Sequence, residues 1–157
     1  MKVNIKKLHK DAVFPTKATK GAAAYDVYTP KSYTILEGRR MILPLGFSIE
    51  LPYGYEAKIE PRSGFSAKGF EGRYVEAETG EEFAKRYDAD VIVGKIDSDY
   101  RGEVGVIVKS NETFIVNKGT RIAQMTIYKV EDAEFELSEE LSETERADGG
   151  FGHTGTK

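Results

Sequence analysis

Apolar and polar residues alternate with a period of two along much of the chain. Met41, Leu43, Leu45, Phe47, Ile49 and Leu51 fall on one side of an extended segment. Ile42, Pro44, Gly46, Ser48 and Glu50 fall on the other. Tyr55, Ala57 and Ile59 alternate with Glu56, Lys58 and Glu60, and Val104, Val106 and Val108 repeat the rule. Residues 121–130 form a further run rich in β-formers. A period of two marks strands with one buried face. Glu37-Gly38, Pro52-Tyr53-Gly54 and Asn117-Lys118-Gly119 punctuate these runs as turns. Short strands at this spacing predict an all-β sandwich or barrel. Helix is expected only in short pieces: a turn over 63–68 behind Pro61, a single turn over 138–143, and a helix over 79–87. The last has Thr79 as its cap and glutamates in its first turn.

Composition sharpens this picture. The 157 residues suit one domain spanning 1–157, and 39% apolar content is enough for a modest core. Sixteen glycines and five prolines favour a turn-rich β protein over a helical bundle. No run approaches the roughly 20 apolar residues that span a bilayer. Met1-Lys2-Val3-Asn4-Ile5 is not followed by the apolar core of a signal peptide. The absence of cysteine excludes disulfides, thiol catalysis and thiolate metal sites, and suits a cytoplasmic protein. A net charge of −3 argues against a general nucleic-acid binder. Residues 131–145 hold eight acidic side chains and no basic one, the composition of a solvated connecting arm. An anionic ligand must therefore find local basic residues instead of a global field.

Candidate chemistry gathers in a few segments. The terminal stretch 145–155 combines Arg146, Phe151, His153 and Thr154 with four glycines. Glycines let backbone N–H groups approach an anion, arginine forks onto phosphate, and a lone phenylalanine is free to lie on a flat ring. The segment reads as a strap over a phosphorylated, ring-bearing ligand; the alternative is an unstructured glycine tail. Pro61-Arg62-Ser63-Gly64 follows a strand and offers an anion cradle, or simply a turn with a surface arginine. Gly94-Lys95-Ile96-Asp97-Ser98-Asp99-Tyr100-Arg101-Gly102 reads as a hairpin with its polar residues at the bend. One of its aspartates is a candidate general base, with a purely local turn role as the alternative. Arg121 and Gln124 are polar positions in an apolar strand and read first as solvent-facing sites on an edge strand, Asp26 is a weak signal alone, and His9 reads as a surface residue. No His/Asp/Glu cluster has the spacing of a protein-built metal site.

The order and identity of these segments resemble the trimeric dUTPase family over nearly the whole chain. Its five segments appear as Ala-Ala-Tyr-Asp-Val around Asp26, Pro-Arg-Ser-Gly at 61–64, Gly-Lys-Ile-Asp-Ser-Asp-Tyr-Arg-Gly at 94–102, Gly-Thr-Arg-Ile-Ala-Gln at 119–124, and Arg-Ala-Asp-Gly-Gly-Phe-Gly-His-Thr-Gly at 146–155. The resemblance implies a jelly-roll-like β-clip fold and a homotrimer whose three sites each draw on all three subunits. It implies magnesium-dependent hydrolysis of dUTP to dUMP and pyrophosphate in a bacterial or phage-infected cytoplasm, with no direct contact to nucleic acid or membrane. Asp97 would activate the water that attacks the α-phosphorus. Tyr100 would pack under the deoxyribose, and the backbone at Lys95 and Ile96 would read the uracil edge. Arg62, Ser63, Gly64 and Gln124 would hold the phosphates. Arg146, Gly152, His153 and Thr154 would close over the γ-phosphate while Phe151 stacks on uracil, so that 146–157 is a lid. Asp26 would meet magnesium through water only. A dCTP deaminase of the same fold is the alternative enzyme.

Three departures stand out. Ala24 and Ala147 occupy positions where the family often has glycine. The connection over 69–90 is longer than usual by about 18 residues, and long connections are functional or flexible. This insert, about 70–90, is expected to be a surface hairpin or hairpin plus helix near the site mouth. A passive loop is its favoured reading; a nucleotide-gated contact with a protein partner is the other.

Overall fold

The computed structural model describes residues 1–149, which form thirteen strands and one short helix. In chain order these are β1 (Asn4–Lys7), β2 (Tyr25–Tyr28), β3 (Tyr33–Ile35), β4 (Arg40–Pro44), β5 (Phe47–Glu50), β6 (Tyr55–Glu60), α1 (Ser63–Lys68), β7 (Phe70–Val75), β8 (Glu82–Tyr87), β9 (Ala89–Ile92), β10 (Gly94–Ile96), β11 (Gly105–Ser110), β12 (Phe114–Val116) and β13 (Arg121–Lys129). They build four antiparallel sheets, ordered β1-β5, β10-β6-β13-β2, β4-β11-β9 and β3-β12-β7-β8. The all-β expectation holds. No helix among the described residues is long and apolar enough to cross a membrane.

The alternation predicted over 41–51 is real, but one continuous strand is not. Leu43, Leu45, Phe47, Ile49 and Leu51 are all buried, whereas Ile42 is exposed. The chain turns at Gly46, whose φ of 78° lies in the left-handed region. That turn sends β4 into a sheet with β11 and β5 into a sheet with β1. Gly46 also packs tightly, since a Cβ there would sit 2.8 Å from His9 Cβ. One apolar face thus serves two sheets of a single core.

The turn over 63–68 forms as expected, with Phe65 as its buried residue. The helix expected over 79–87 does not form. Residues 82–87 are strand β8, paired with β7 from Phe70↔Tyr87 to Val75↔Glu82. Pairing along a whole partner strand, with Tyr87 buried at one end, outweighs a local helical preference. The cap-like Thr79 instead fixes the hairpin turn: its Oγ1 accepts from Glu81 N at 3.2 Å, and Gly80 follows at φ 71°. The insert is therefore a β-hairpin without a helix. Residues 138–143 also lack the expected turn of helix. Six residues containing three glutamates, with nothing packed on them, cannot offset the cost of helix nucleation.

The core is aromatic where the hairpin joins the body. Tyr87 stacks on Phe114 with centroids 4.4 Å apart, Phe70 meets Phe114 edge-on at 6.2 Å, and Phe65 stacks on Phe70 at 4.5 Å. Gly72 makes room for this cluster, because a Cβ there would lie 2.5 Å from Phe114 Cδ2. Phe114→Ala should lower unfolding free energy by about 3–5 kcal/mol in urea titration. A loss below about 1 kcal/mol would mean that the hairpin root is not part of the core.

Candidate functional site: a cationic cleft and a distant acidic corner

Strand β13 lies between β2 and β6, and its register sets the first half of the site. Asp26, Gln124 and Glu60 stand abreast on the three neighbouring strands. The register shifts between Arg121 and Ala123, a bulge at the start of β13. Bulges re-aim side chains, and Arg121 reaches Asp26 Oδ2 at 3.4 Å. From the end of β6 the chain runs through Pro61 to Arg62, whose Nε lies 3.2 Å from Asp26 Oδ1. Arg62 Nη1 donates to the Arg121 carbonyl at 3.1 Å, and its guanidinium lies 5.2 Å from the Phe65 ring centroid.

Asp26 is only 3% exposed, so a charge there needs partners. Two arginines supply them, but imperfectly. The Asp26 Oδ1–Arg62 Nε contact is close in distance yet misaligned, leaving both buried atoms without a hydrogen bond. Attraction survives misalignment, while the directional bond is lost. Two guanidinium groups on one carboxylate leave net positive charge at the surface, where a cleft of about 360 Å³ is lined by Arg62, Gly64, Lys68, Thr120 and Arg121. A Cβ at Gly64 would meet nothing within 4 Å, so its bareness serves the open space and not packing. Ser63 is exposed beside it as the first residue of α1.

The second half lies at the other edge of the same sheet. Among the described residues strand β10 pairs with β6 alone, through Gly94↔Ile59, Lys95↔Lys58 and Ile96↔Ala57. Its outer edge therefore presents unpaired backbone groups. Ile96 turns its side chain into the core, and Lys95 pairs with Glu56 at 2.5 Å. What this strand offers a ligand is thus its backbone. The Lys95 hydrogen bond and charge, seconded by Lys58, hold the Glu56 carboxyl below its ordinary pKa, and Glu56 in turn raises that of Lys95.

The hairpin expected over 94–102 is not one. Strands β10 and β11 join different sheets, and the chain between them makes a corner. Tyr100 N donates to the Asp97 carbonyl at 3.2 Å, closing a turn. Arg101 ties the corner by donating to the carbonyls of Ser98 at 2.7 Å and Tyr100 at 3.0 Å. Tyr100 folds over Gly102, where any Cβ would collide with the phenol. Asp97 is exposed at this corner.

The structure brings Asp26, Arg62, Arg121 and Gln124 together, with Ser63 and Gly64 beside them. It does not bring Asp97 and Tyr100 to them. Continuing the β10 register puts Asp97 level with Glu56, four residues along β6 from Glu60 and three strands across from Asp26. Strand spacing of about 4.8 Å and a rise of about 3.3 Å per residue put the backbones of Asp97 and Asp26 roughly 20 Å apart along the sheet. Arg146 is exposed, with its Nε on the Gly149 carbonyl at 2.8 Å. Phe151, Gly152, His153 and Thr154 lie outside the described residues. Sequence reasoning passed over Glu56, Glu60 and Arg86. Only strand register could have revealed them, since each is one charge among many in the sequence.

An all-β chain carrying a buried carboxylate and convergent arginines at a sheet edge is, by class, a β protein equipped for an anionic ligand. Its architecture matches solved dUTPases. The Staphylococcus bacteriophage 80alpha dUTPase with dUPNHPP superposes at a TM-score of 0.82, with 23% identity and 98% of each chain covered. The dUTPase of phage phi11 of S. aureus, described for its species-specific insert, matches at 0.74 with 19% identity, over 92% of this chain and 100% of that one. At such identities these likenesses establish the fold.

The chain belongs to the dUTPase family, whose model matches residues 10–75 and 83–155. The unmatched residues 76–82 include the turn between β7 and β8. The chain is 41% identical over 159 residues to the deoxyuridine 5'-triphosphate nucleotidohydrolase of Nautilia profundicola, with 99% of each covered. It is 40% identical to the protein of that name from Chlamydia trachomatis, with 95% of each covered.

Proposed function

We propose that this chain is a dUTP diphosphatase that hydrolyses dUTP to dUMP and pyrophosphate at sites shared between copies in a homotrimer. The observation that carries the shared site is the separation just described. One chain holds a phosphate-binding cluster and a base-bearing corner roughly 20 Å apart, too far for one nucleotide to meet both at bonding distance. A closed ring of copies lets the cluster of one subunit face the corner of the next.

In such a site Arg62, Ser63, Gly64 and Gln124 hold the triphosphate oxygens. Asp97 orients a water in line with the α-phosphorus and accepts its proton, so that the new P–O bond forms as the bond to pyrophosphate breaks. Tyr100 lies under the sugar. The outer backbone edge at Lys95 and Ile96 pairs with the uracil. Arg146 and the segment carrying Phe151, Gly152, His153 and Thr154 cover the ligand and exclude water.

Magnesium fits the donor set in one limited way. The described residues contain no cluster of three carboxylate or histidine ligands, so the phosphate oxygens must provide most of its coordination. The unbonded Oδ1 of Asp26 is suited to accept from one of the ion's waters. When bound, the ion neutralises phosphate charge.

The test is pyrophosphate release by purified full-length protein with magnesium. The expected result is turnover of dUTP and little of dTTP or UTP. Folded protein that treats the three alike, or releases ammonia from dCTP instead, would overturn the assignment.

A further inference from the structure

Arg86 lies on β8 at the foot of the hairpin, in register with Glu71 on β7. It pairs with the Glu71 carboxylate and donates to the Gly69 carbonyl at 3.2 Å. Those contacts place it on the wall of the same cleft that Arg62, Lys68 and Arg121 line. The hairpin foot is firmly seated. Tyr87 is buried against Phe114, and Gly69, at φ 77°, lets β8 approach the end of α1 so closely that a Cβ would lie 2.6 Å from the Tyr87 carbonyl oxygen. Arg86 is therefore held at the cleft by structure on both sides.

Its carboxylate partner is a weak one. The Glu71 side chain is 68% exposed and that of Arg86 43%, so the pair is largely solvated and exchangeable. A terminal phosphate offers more charge and several oxygens to a planar guanidinium fork. Around the cleft, Arg62, Lys68, Arg86 and Arg121 stand against Asp26 and Glu71, four positive groups to two negative. Without Arg86 the balance at the mouth falls by one, beside an acidic residue that repels the ligand.

We propose that Arg86 is a phosphate-binding residue carried by the hairpin. When a nucleoside triphosphate fills the cleft, Arg86 exchanges Glu71 for oxygens of the pyrophosphate portion, and the hairpin foot becomes part of the occupied site. The proposal rests on the reading that this cleft binds the triphosphate. It makes the hairpin a participant in substrate discrimination by phosphate number.

Steady-state kinetics of the full chain with magnesium test it. Arg86→Gln should raise KM for dUTP and the inhibition constant of inorganic pyrophosphate about tenfold, with kcat and inhibition by dUMP within about twofold of the parent. Arg86→Lys should recover part of the loss, and Glu71→Gln should lower KM. Unchanged KM and pyrophosphate inhibition in Arg86→Gln would overturn the proposal. So would an equal weakening toward dUMP, which would show a structural effect alone. If the parent protein does not hydrolyse dUTP, the underlying reading fails; if it does and Arg86→Gln matches it, only the role of Arg86 fails.

Discussion

Asp97→Asn is expected to bind the nucleotide and lose its turnover by about 10²–10⁴-fold, the range that a positioned general base contributes. The substitution keeps size and the ability to hold a water, but removes the negative oxygen that accepts the proton. The corner should survive, because its ties run through backbone carbonyls and Arg101, not through the Asp97 carboxylate. KM should therefore change little while kcat falls, the pattern of an interaction made in the transition state. Asp99→Asn, two residues on, is the internal control and should keep most of its activity. Near-parental turnover in Asp97→Asn would remove this residue from its proposed role.

Ending the chain before Arg146 is expected to leave a folded protein with turnover reduced by about a hundredfold or more, through loss of charge stabilisation and of shielding from water. The described part of the fold gives the reason for intact folding. Phe135, Leu137 and Leu141 are at least 90% exposed, and no described residue beyond 130 belongs to the core. Unchanged thermal stability with collapsed kcat/KM is the expected pair of readings. Full activity of the shortened chain would reduce the glycine-rich end to a tail.

The all-β class and the arginine-bearing Pro-Arg-Ser-Gly segment were legible in the sequence, each for a physical reason. Period-two patterning reports burial directly, and Leu43, Leu45, Phe47, Ile49 and Leu51 are buried as the pattern requires. Pro-Arg-Ser-Gly is local in sequence, so only the β6–β13 and β13–β2 pairings are needed to set it beside Asp26. What escaped was decided by pairing at long range. Nothing local in 79–87 says that β7 waits to pair with it, and the helical signals of Thr79 were put to a hairpin turn instead. The corner at Asp97 looked like a hairpin because strand-like residues flank it. Their membership of two different sheets is a property of the whole chain. Arg86 escaped for the same reason: only the β7–β8 register and the positive-φ Gly69 carry it to the cleft.

In the proposed homotrimer the cluster of one subunit and the corner of another make one site. Chains carrying Arg62→Ala and chains carrying Asp97→Asn should each be nearly inactive alone. Refolded together in equal amounts, with mixed assembly verified by distinct tags, they should regain roughly one quarter of parental activity, the fraction of subunit contacts in a closed ring that join an intact cluster to an intact corner. A mixed assembly no more active than either variant alone would contradict the claim, because a site contained in one chain cannot be repaired by its neighbour.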